Sequence, residues 1–253
     1  MLREDFRLLA ERPTPHLSVT LAQNECEVRE AQALRYQVFA EEMGAHLPSG
    51  EPGIDKDIFD PYCDHLLVRD TLTQEVVGTY RILSPEQARK IGGYYAESEF
   101  DLTRLYHVYD RLVEVGSSCV HPAYRQGAAI SLLWAGLTRY MQQHGYDYVM
   151  GCASIGMGDG GHAAASIYRQ LNLEYMSPIE WRVFPRYALP LAKLDQTRYV
   201  PLPPLVKGYM RVGCYVCGEP AWDPDFNTAD LLLMLPMSLM NKRYARHFFE
   251  HPE

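Results

Sequence analysis

A chain of 253 residues, 47% hydrophobic and 22% charged, carries enough apolar material for a sizeable core and needs no disulfide staples. Its formal net charge of −8 argues against a general nucleic-acid binder, which requires a clustered positive surface, and leaves room only for a local basic patch. Met1–Ala10 mixes Arg, Glu and Asp with its apolar residues, unlike a secretory leader, and the longest apolar run, LLLMLPMSLM, contains Pro236 and is too short to span a bilayer. A soluble chain of the cytoplasm, at most peripheral at a membrane, is the expectation.

In chain order, Cys26–Met43 places Val28, Ala31, Leu34, Val38 and Phe39 at helical spacing, which predicts a helix. The following LPSGEPGIDKDIFDPYCDH is rich in Pro, Gly and Asp and reads as an acidic loop. LLVRDTLTQEVVGTYRIL is two β-type runs around a polar turn, a hairpin. Ser84 and Pro85 open a short helix as its cap and first residue. RLVEVGSSCV reads as a strand and leads through the tight turn VHPAYRQG into a third helix. That helix carries Ile130, Leu133, Trp134, Leu137 and Met141 and stops at Gly145. YDYVMGCASI is another buried strand, and the glycine-rich GMGDGGH precedes the helix AAASIYRQLN. YMRVGCYVCG and LLLMLP read as strands around EPAWDPDFNTAD. The tail SLMNKRYARHFFE reads as a basic amphipathic helix, with Lys242, Arg243, Arg246 and His247 against Met240, Tyr244 and Phe248. Strands that adjoin early and alternate with helices later predict an α/β fold with a mixed, helix-covered sheet. Neither a repeat nor a linker interrupts the chain, so residues 1–253 are expected to form one domain.

Four of the six cysteines, Cys26, Cys63, Cys119 and Cys152, are scattered beside apolar residues and read as small core residues. Cys214 and Cys217 form a lone CxxC. In an extended strand residues three apart face opposite sides, so the pair makes a poor chelate, and no metal is expected. The strand–turn–helix around Val120–Ala128 aims successive backbone N–H groups at one point, which favours an anion, and Arg125 adds a fork of donors. An ordinary connection with an exposed Arg is the rival reading. Glu114, between Val113 and Val115, is a carboxylate in an apolar strand, where desolvation raises its pKa and suits it to act as a base.

The turn VHPAYRQGA resembles that of the GCN5-related N-acetyltransferase (GNAT) superfamily, in which Val, Pro, Arg and small residues surround the pyrophosphate of coenzyme A. AAASIYRQLNLEY resembles the superfamily's next signature, an Ala-rich helix closed by Tyr. Carried onto this chain, the resemblance gives Val120, Arg125, Gln126, Gly127 and Ala128 as donor-binding residues. Ala128 and Ile130 stand where glycines are usual, and Asn172–Leu173 replaces Gly–Phe. Those side chains crowd a pyrophosphate, so the turn is expected to take one phosphate, as on the phosphopantetheine arm of an acyl carrier protein.

ALRYQVFAEEMG, DKDIFDPYCDHLLVRD and VVGTYRIL resemble the carrier-protein-dependent N-acyltransferases. These include acyl-homoserine-lactone synthases and, closer, ornithine N-acyltransferases that make lyso-ornithine lipid and often carry hemolysin-like descriptions. The resemblance spans about Leu34 to Phe248. It implies transfer of a long, 3-hydroxylated acyl chain from a carrier thioester to the α-amine of an amino acid such as ornithine, with a peripheral membrane contact in keeping. It assigns Glu114 as base and Tyr168 as the acid for the leaving thiolate. His65, between Asp64 and Leu66, is a candidate proton-transfer assistant, with a satisfied core histidine as the rival reading. The backbone N–H groups near Gly116 and Ser117 become oxyanion donors, and Ser117 stands where relatives place an Arg. For a cationic acceptor the acidic set Glu42, Asp55, Asp57, Asp60 and Asp64 offers counter-charge. Arg35 and Arg81 offer forks for its carboxylate, with Phe39 beside them. A Cys119–His121 nucleophile is the lesser option, because direct amine attack needs no acyl-enzyme. The whole implies a sheet that splays after Glu114, leaving a slot for the pantetheine arm. Its rivals are a coenzyme A-dependent small-acyl transferase, a homoserine-lactone synthase and a non-catalytic lipid-binding protein.

Overall fold

The computed structural model describes residues 16–241 apart from 46, 48, 49 and 225. Its strands are β1 (Leu17–Leu21), β2 (Asp64–Asp70), β3 (Val76–Leu83), β4 (Phe100–Asp101), β5 (Leu112–Val120), β6 (Tyr148–Gly156), β7 (Phe184–Pro185), β8 (Tyr215–Val216), β9 (Ala221–Asp223) and β10 (Thr228–Pro236). Its α-helices are α1 (Glu25–Tyr36), α2 (Pro85–Ile91), α3 (Ala128–His144), α4 (His162–Glu174) and α5 (Pro204–Val212). Among the described residues an eight-stranded sheet runs in the order β1-β2-β3-β5-β6-β10-β8, with β9 also paired to β10. Only β5 and β6 are parallel neighbours in it. This is the mixed, helix-covered sheet that the sequence pattern predicts.

Each helix begins and ends where its local chemistry dictates. The Asn24 side chain accepts the Glu27 N–H at the head of α1, and Ser84 accepts the Gln87 N–H ahead of Pro85 at the head of α2. Gly145 closes α3 in the left-handed region that an L-residue enters only at a cost. The helix expected over Cys26–Met43 is α1 followed by a π-helical stretch, Gln37–Glu42. That wider turn carries Phe39 and Glu42.

The alternation of side chains divides the core between two sheet faces. Val113, Val149, Ala153, Leu231 and Leu233 pack with α3, α4 and α5 on one face. Leu112, Met150, Leu232 and Met234 pack on the other with Leu83, Ala88 and the short 3-10 turns between Tyr95 and Arg111. Two expectations are corrected. The run YMRVGCYVCG is not a strand: Val206, Tyr209 and Met210 are buried at helical spacing in α5, which Pro204 opens and Gly213 closes, and only Tyr215–Val216 is extended. Continuous apolar character suits a buried helix as well as a strand, and here the Pro and Gly punctuation decides. Cys26 is exposed rather than a core residue. The predicted basic tail from Lys242 onward lies outside the described residues.

Candidate active site

The central strands part where the site begins. β5 and β6 pair only at Leu112–Tyr148, Val113–Val149 and Glu114–Met150, although they continue to Val120 and Gly156. Beyond that point Gly151 lies so close to the Val115 carbonyl that a Cβ there would collide with it. On its other side β5 carries a bulge. Arg81 faces Gly116 and Thr79 faces Cys119, so Ser117 and Ser118 share the single partner Tyr80, and Ser117 sits at φ 48°. A bulge interrupts the ladder and leaves backbone groups unpaired. It also switches the faces: Val115 packs with α3 before it, and Val120 does so after it.

The gap opens into a cavity of about 1550 Å³. Its apolar wall includes Trp134, Tyr209, Leu233 and Leu235, and its polar wall includes Arg81, Glu99, Glu114 and Asp230. Of the residues expected at the site, Phe39, Glu42, Asp57, Arg81, Glu114, Ser117, Val120, Arg125 and Gly127 line this space.

Glu114 is buried at the head of the slot. Its Oε2 accepts the Tyr95 N–H at 2.7 Å and its Oε1 the Ala96 N–H at 2.8 Å. Burial pushes its pKa up to about 7, against the pull of those two N–H groups and of the Arg81 charge. Arg81 donates from Nη1 to Asp57 Oδ2 at 2.7 Å and lies over the Phe59 ring, keeping a face toward the cavity. In the turn, Arg125 donates from Nε to the Val120 carbonyl at 2.9 Å and grips Glu42 through both terminal nitrogens, at 2.5 and 2.7 Å. Glu42 is thus engaged with Arg125 rather than open to a cationic substrate.

Several assignments do not survive the geometry. Arg35 is buried and fully spent. Its Nε donates to Asp55 Oδ2 at 2.8 Å, Nη1 to Asp60 Oδ1 at 2.8 Å, and Nη2 to Asp60 Oδ2 and the Asp55 carbonyl. Neither Arg35 nor Asp60 lines the cavity, so both hold the acidic loop rather than a substrate. Burial raises the pKa of Asp60, but the Arg35 hydrogen bond and charge win and hold it below the usual carboxylate range. His65 is buried behind Asp60, its Nε2 3.2 Å from the Asp60 carbonyl oxygen, and burial lowers its pKa, so it stays neutral and off the cavity. Tyr168 packs in the core of α4, where burial and the nearby Glu219 raise its pKa; it does not reach the slot. Gln126 and Ala128 are exposed and do not line the cavity either. Burial raises the Cys119 thiol to about 12, which rules against a Cys–His nucleophile. Cys214 and Cys217 pack into opposite sheet faces.

A second acidic group on the cavity wall escaped the sequence reading. Glu99, Cys152 and Asp230 bring one ligand atom each within 4.8 Å of one another, the arrangement among the described residues best suited to a cation. The signal for Asp230 was present, a lone carboxylate opening the apolar run of β10, where a strand flanked on both sides should read apolar throughout. Glu99 lies in YYAESEF, which has no periodicity to flag it.

Comparison with known proteins identifies this architecture. Residues 34–135 match the acetyltransferase (GNAT) domain. The L-ornithine N(alpha)-acyltransferase of Rhizobium meliloti (strain 1021) is 38% identical over 92% of this chain and 84% of its own. The chain belongs to this acyltransferase family. A second member, from Rhodobacter capsulatus, is 37% identical over 93% of this chain and 95% of its own. The fold also resembles the acyl-homoserine-lactone synthase LasI, with TM-score 0.54, 14% identity, and 94% and 96% of the two chains covered. FeeM, an N-acyl amino acid synthase from uncultured soil microbes, superposes with TM-score 0.56 at 12% identity, covering 89% and 92%. This family member is therefore an enzyme, an acyltransferase, and the parted strands lie within its GNAT fold. No helix of the described residues is long and apolar enough to cross a membrane.

Proposed function

We propose that this enzyme moves a long, 3-hydroxylated acyl group from the phosphopantetheine thioester of an acyl carrier protein to the α-amine of L-ornithine. The observation that carries this reading is Glu114, a buried carboxylate with a pKa near 7 at the head of a slot between parted strands. The names of the family's members supply the acceptor. A pantetheine arm is a chain of amides and matches unpaired strand edges, and the apolar wall suits a long acyl tail. Arg125, at the turn, faces the single phosphate. Ile130 on the wall leaves less room for the diphosphate of coenzyme A.

The α-ammonium must lose a proton before it attacks. Glu114, half ionised near neutral pH, takes it directly or through a water. The amine nitrogen then forms a bond to the thioester carbon, and the carbonyl electrons move to oxygen beside the bulge at Gly116–Ser117. Collapse breaks the C–S bond, and the second amine proton neutralises the departing thiolate. Amide and free carrier thiol result, and Arg81 grips the ornithine carboxylate. The product is an amphiphile, in keeping with a site of action on the cytoplasmic surface of a bilayer.

The test is incubation with 3-hydroxyacyl carrier protein or the matching acyl-CoA and a panel of amino acids, reading thiol release and product mass. Ornithine-dependent thiol release from the carrier substrate, with an N-acylornithine product, is expected. Thiol release that no amino acid stimulates from either donor overturns the proposal.

A further inference from the structure

The family reading leaves the acceptor's side chain unaddressed, and the cavity contains a feature suited to it. Glu114, Cys152 and Asp230 stand on one face of the sheet. Asp230 opposes Ser154 and Leu232 opposes Cys152, while Glu114 opposes Met150 one row lower. Glu99 completes the group from the short helix Tyr95–Ser98 and its cap, whose first N–H groups hold Glu114. A single turn of chain thus joins the base to the second carboxylate. Cys152 sits between them: its thiol feels the charges of Glu99, Asp230, Glu114 and Asp223.

The pair is unfinished. Both Glu99 carboxylate oxygens are buried and receive no backbone N–H, arginine or lysine donor among the described residues; what they face is the Asp230 carboxylate and the Tyr95 hydroxyl. Asp230 is 4% exposed and receives the Thr228 hydroxyl at 3.0 Å, and no described arginine or lysine forms an ion pair with either residue. Two carboxylates this close, buried and without a cation, repel each other. Burial first, then the Asp230 charge, lifts the Glu99 pKa to about 9, so in the free enzyme the pair holds a shared proton. Such an arrangement is costly to maintain unless something cationic enters.

We infer that Glu99 and Asp230 form the subsite for the terminal ammonium of the acceptor's side chain, and that this subsite selects a diamino acid over a neutral one. The inference rests on the acylation chemistry proposed for Glu114. Five bonds of roughly 1.5 Å separate the two nitrogens of ornithine, so they stand about 6 Å apart when extended. That length is of the order of the step from the Tyr95 and Ala96 N–H groups to Glu99 along a tight helical turn of about 2 Å per residue. Three charges on the acceptor then meet three fixed groups: its α-amine meets Glu114, its carboxylate Arg81 and its side-chain ammonium the Glu99–Asp230 pair. As the ammonium enters, the pair releases its shared proton to solvent; one of its two negative charges pairs with the ammonium and the other stays on the cavity wall.

Steady-state thiol release with ornithine, norvaline (the same skeleton without the ammonium) and lysine tests this. Wild-type enzyme should favour ornithine over norvaline by ~10²- to 10⁴-fold in kcat/KM, because norvaline leaves a buried charge unpaired. Glu99→Gln keeps the shape, and it should raise the ornithine KM ~10- to 100-fold, change kcat little and bring norvaline close to parity. Asp230→Asn should do the same and serves if the first variant is poorly folded. Ornithine turnover without discrimination against norvaline overturns the subsite alone; absence of turnover with every amino acid overturns the acylation reading as well. Loss of activity in a chelator, restored by a divalent metal, assigns the cluster to a metal and also overturns the inference.

Discussion

The acidic loop at Asp55–Asp60 and the Glu99–Asp230 pair both withdraw carboxylates from water, but the protein completes only one of them. In the loop, Asp60 accepts both terminal nitrogens of Arg35 and the Asp57 N–H, and Asp57 takes Arg81. At Glu99 no cation arrives among the described residues, and the carboxylate faces a second carboxylate, Asp230. A buried charge cluster whose bonds are all made supports the fold, and one with bonds missing is poised for a ligand. Composition alone favoured the wrong one. The loop is dense in Asp and looks like a cation trap, yet its counter-charges are internal.

The sharpest way to break this contrast is to remove Arg35. Arg35→Leu leaves Asp55 and Asp60 buried without their partner and should cost about 3–5 kcal/mol, read as a lowered midpoint in urea. A loss under 1 kcal/mol would mean that the loop is solvated and the contrast false.

Glu114 stands between the two cases, paired with backbone N–H groups but with no cation, and its effect should appear in rate. Glu114→Gln should lower kcat by ~10²- to 10⁴-fold. In wild-type enzyme kcat/KM should rise as pH increases through about 7, because the base works only when ionised. A flat profile between pH 6 and 8 would remove Glu114 as the base. Because Gln also places a donor against a backbone N–H, turnover is to be compared at equal folded fraction.

The site was legible in the sequence where one strand carries the chemistry and lost where the fold brings distant strands together. Glu114 announced itself as a carboxylate between two valines, and the slot followed from the strand–turn–helix beyond it. The partners of Arg35 could not be read, because a guanidinium near several aspartates in sequence has no fixed geometry until the loop closes. Glu99 and Asp230 meet only because β10 joins β6 antiparallel beyond the parallel core, a pairing that depends on the C-terminal strands. Tyr168 shows the reverse error. Its position in an Ala-rich helix fits the superfamily pattern, yet the face it occupies turns into the core.

A smaller effect than those of Arg35 and Glu114 should appear in the stability of the bare pair. The folded-state pKa of Glu99 is raised, so the folded protein holds a proton that the unfolded chain releases nearer 4.5. Stability from this group is therefore complete below about pH 4.5 and is lost as pH climbs toward about 9. Glu99→Gln should remove that loss. Its melting temperature should exceed that of wild type by a few degrees at pH 8.5 and by less at pH 5.5. Equal differences at both values would show that Glu99 is already ionised and paired.

The smallest expected effect concerns Arg125 and Glu42, the ion pair bridging the π-helical stretch to the turn at the cavity edge. Both side chains are well exposed, so the pair adds little to folding, and Glu42→Ala should leave the melting temperature nearly unchanged. Its consequence lies in binding. With Glu42 present, a phosphate must compete with a bidentate carboxylate for the same guanidinium, whose third contact, to the Val120 carbonyl, keeps it at the turn. Without Glu42 the fork is vacant and still positioned, so the KM for the acyl donor should fall by ~2- to 5-fold in low salt. Screening shortens the reach of such charges to about 3 Å at 1 M salt, so the gain should shrink there. A KM that rises instead would show that Glu42 orients Arg125 for the phosphate. The pair would then join the completed loop among the structural contacts, leaving the Glu99–Asp230 pair as the vacant counter-charge on the cavity wall.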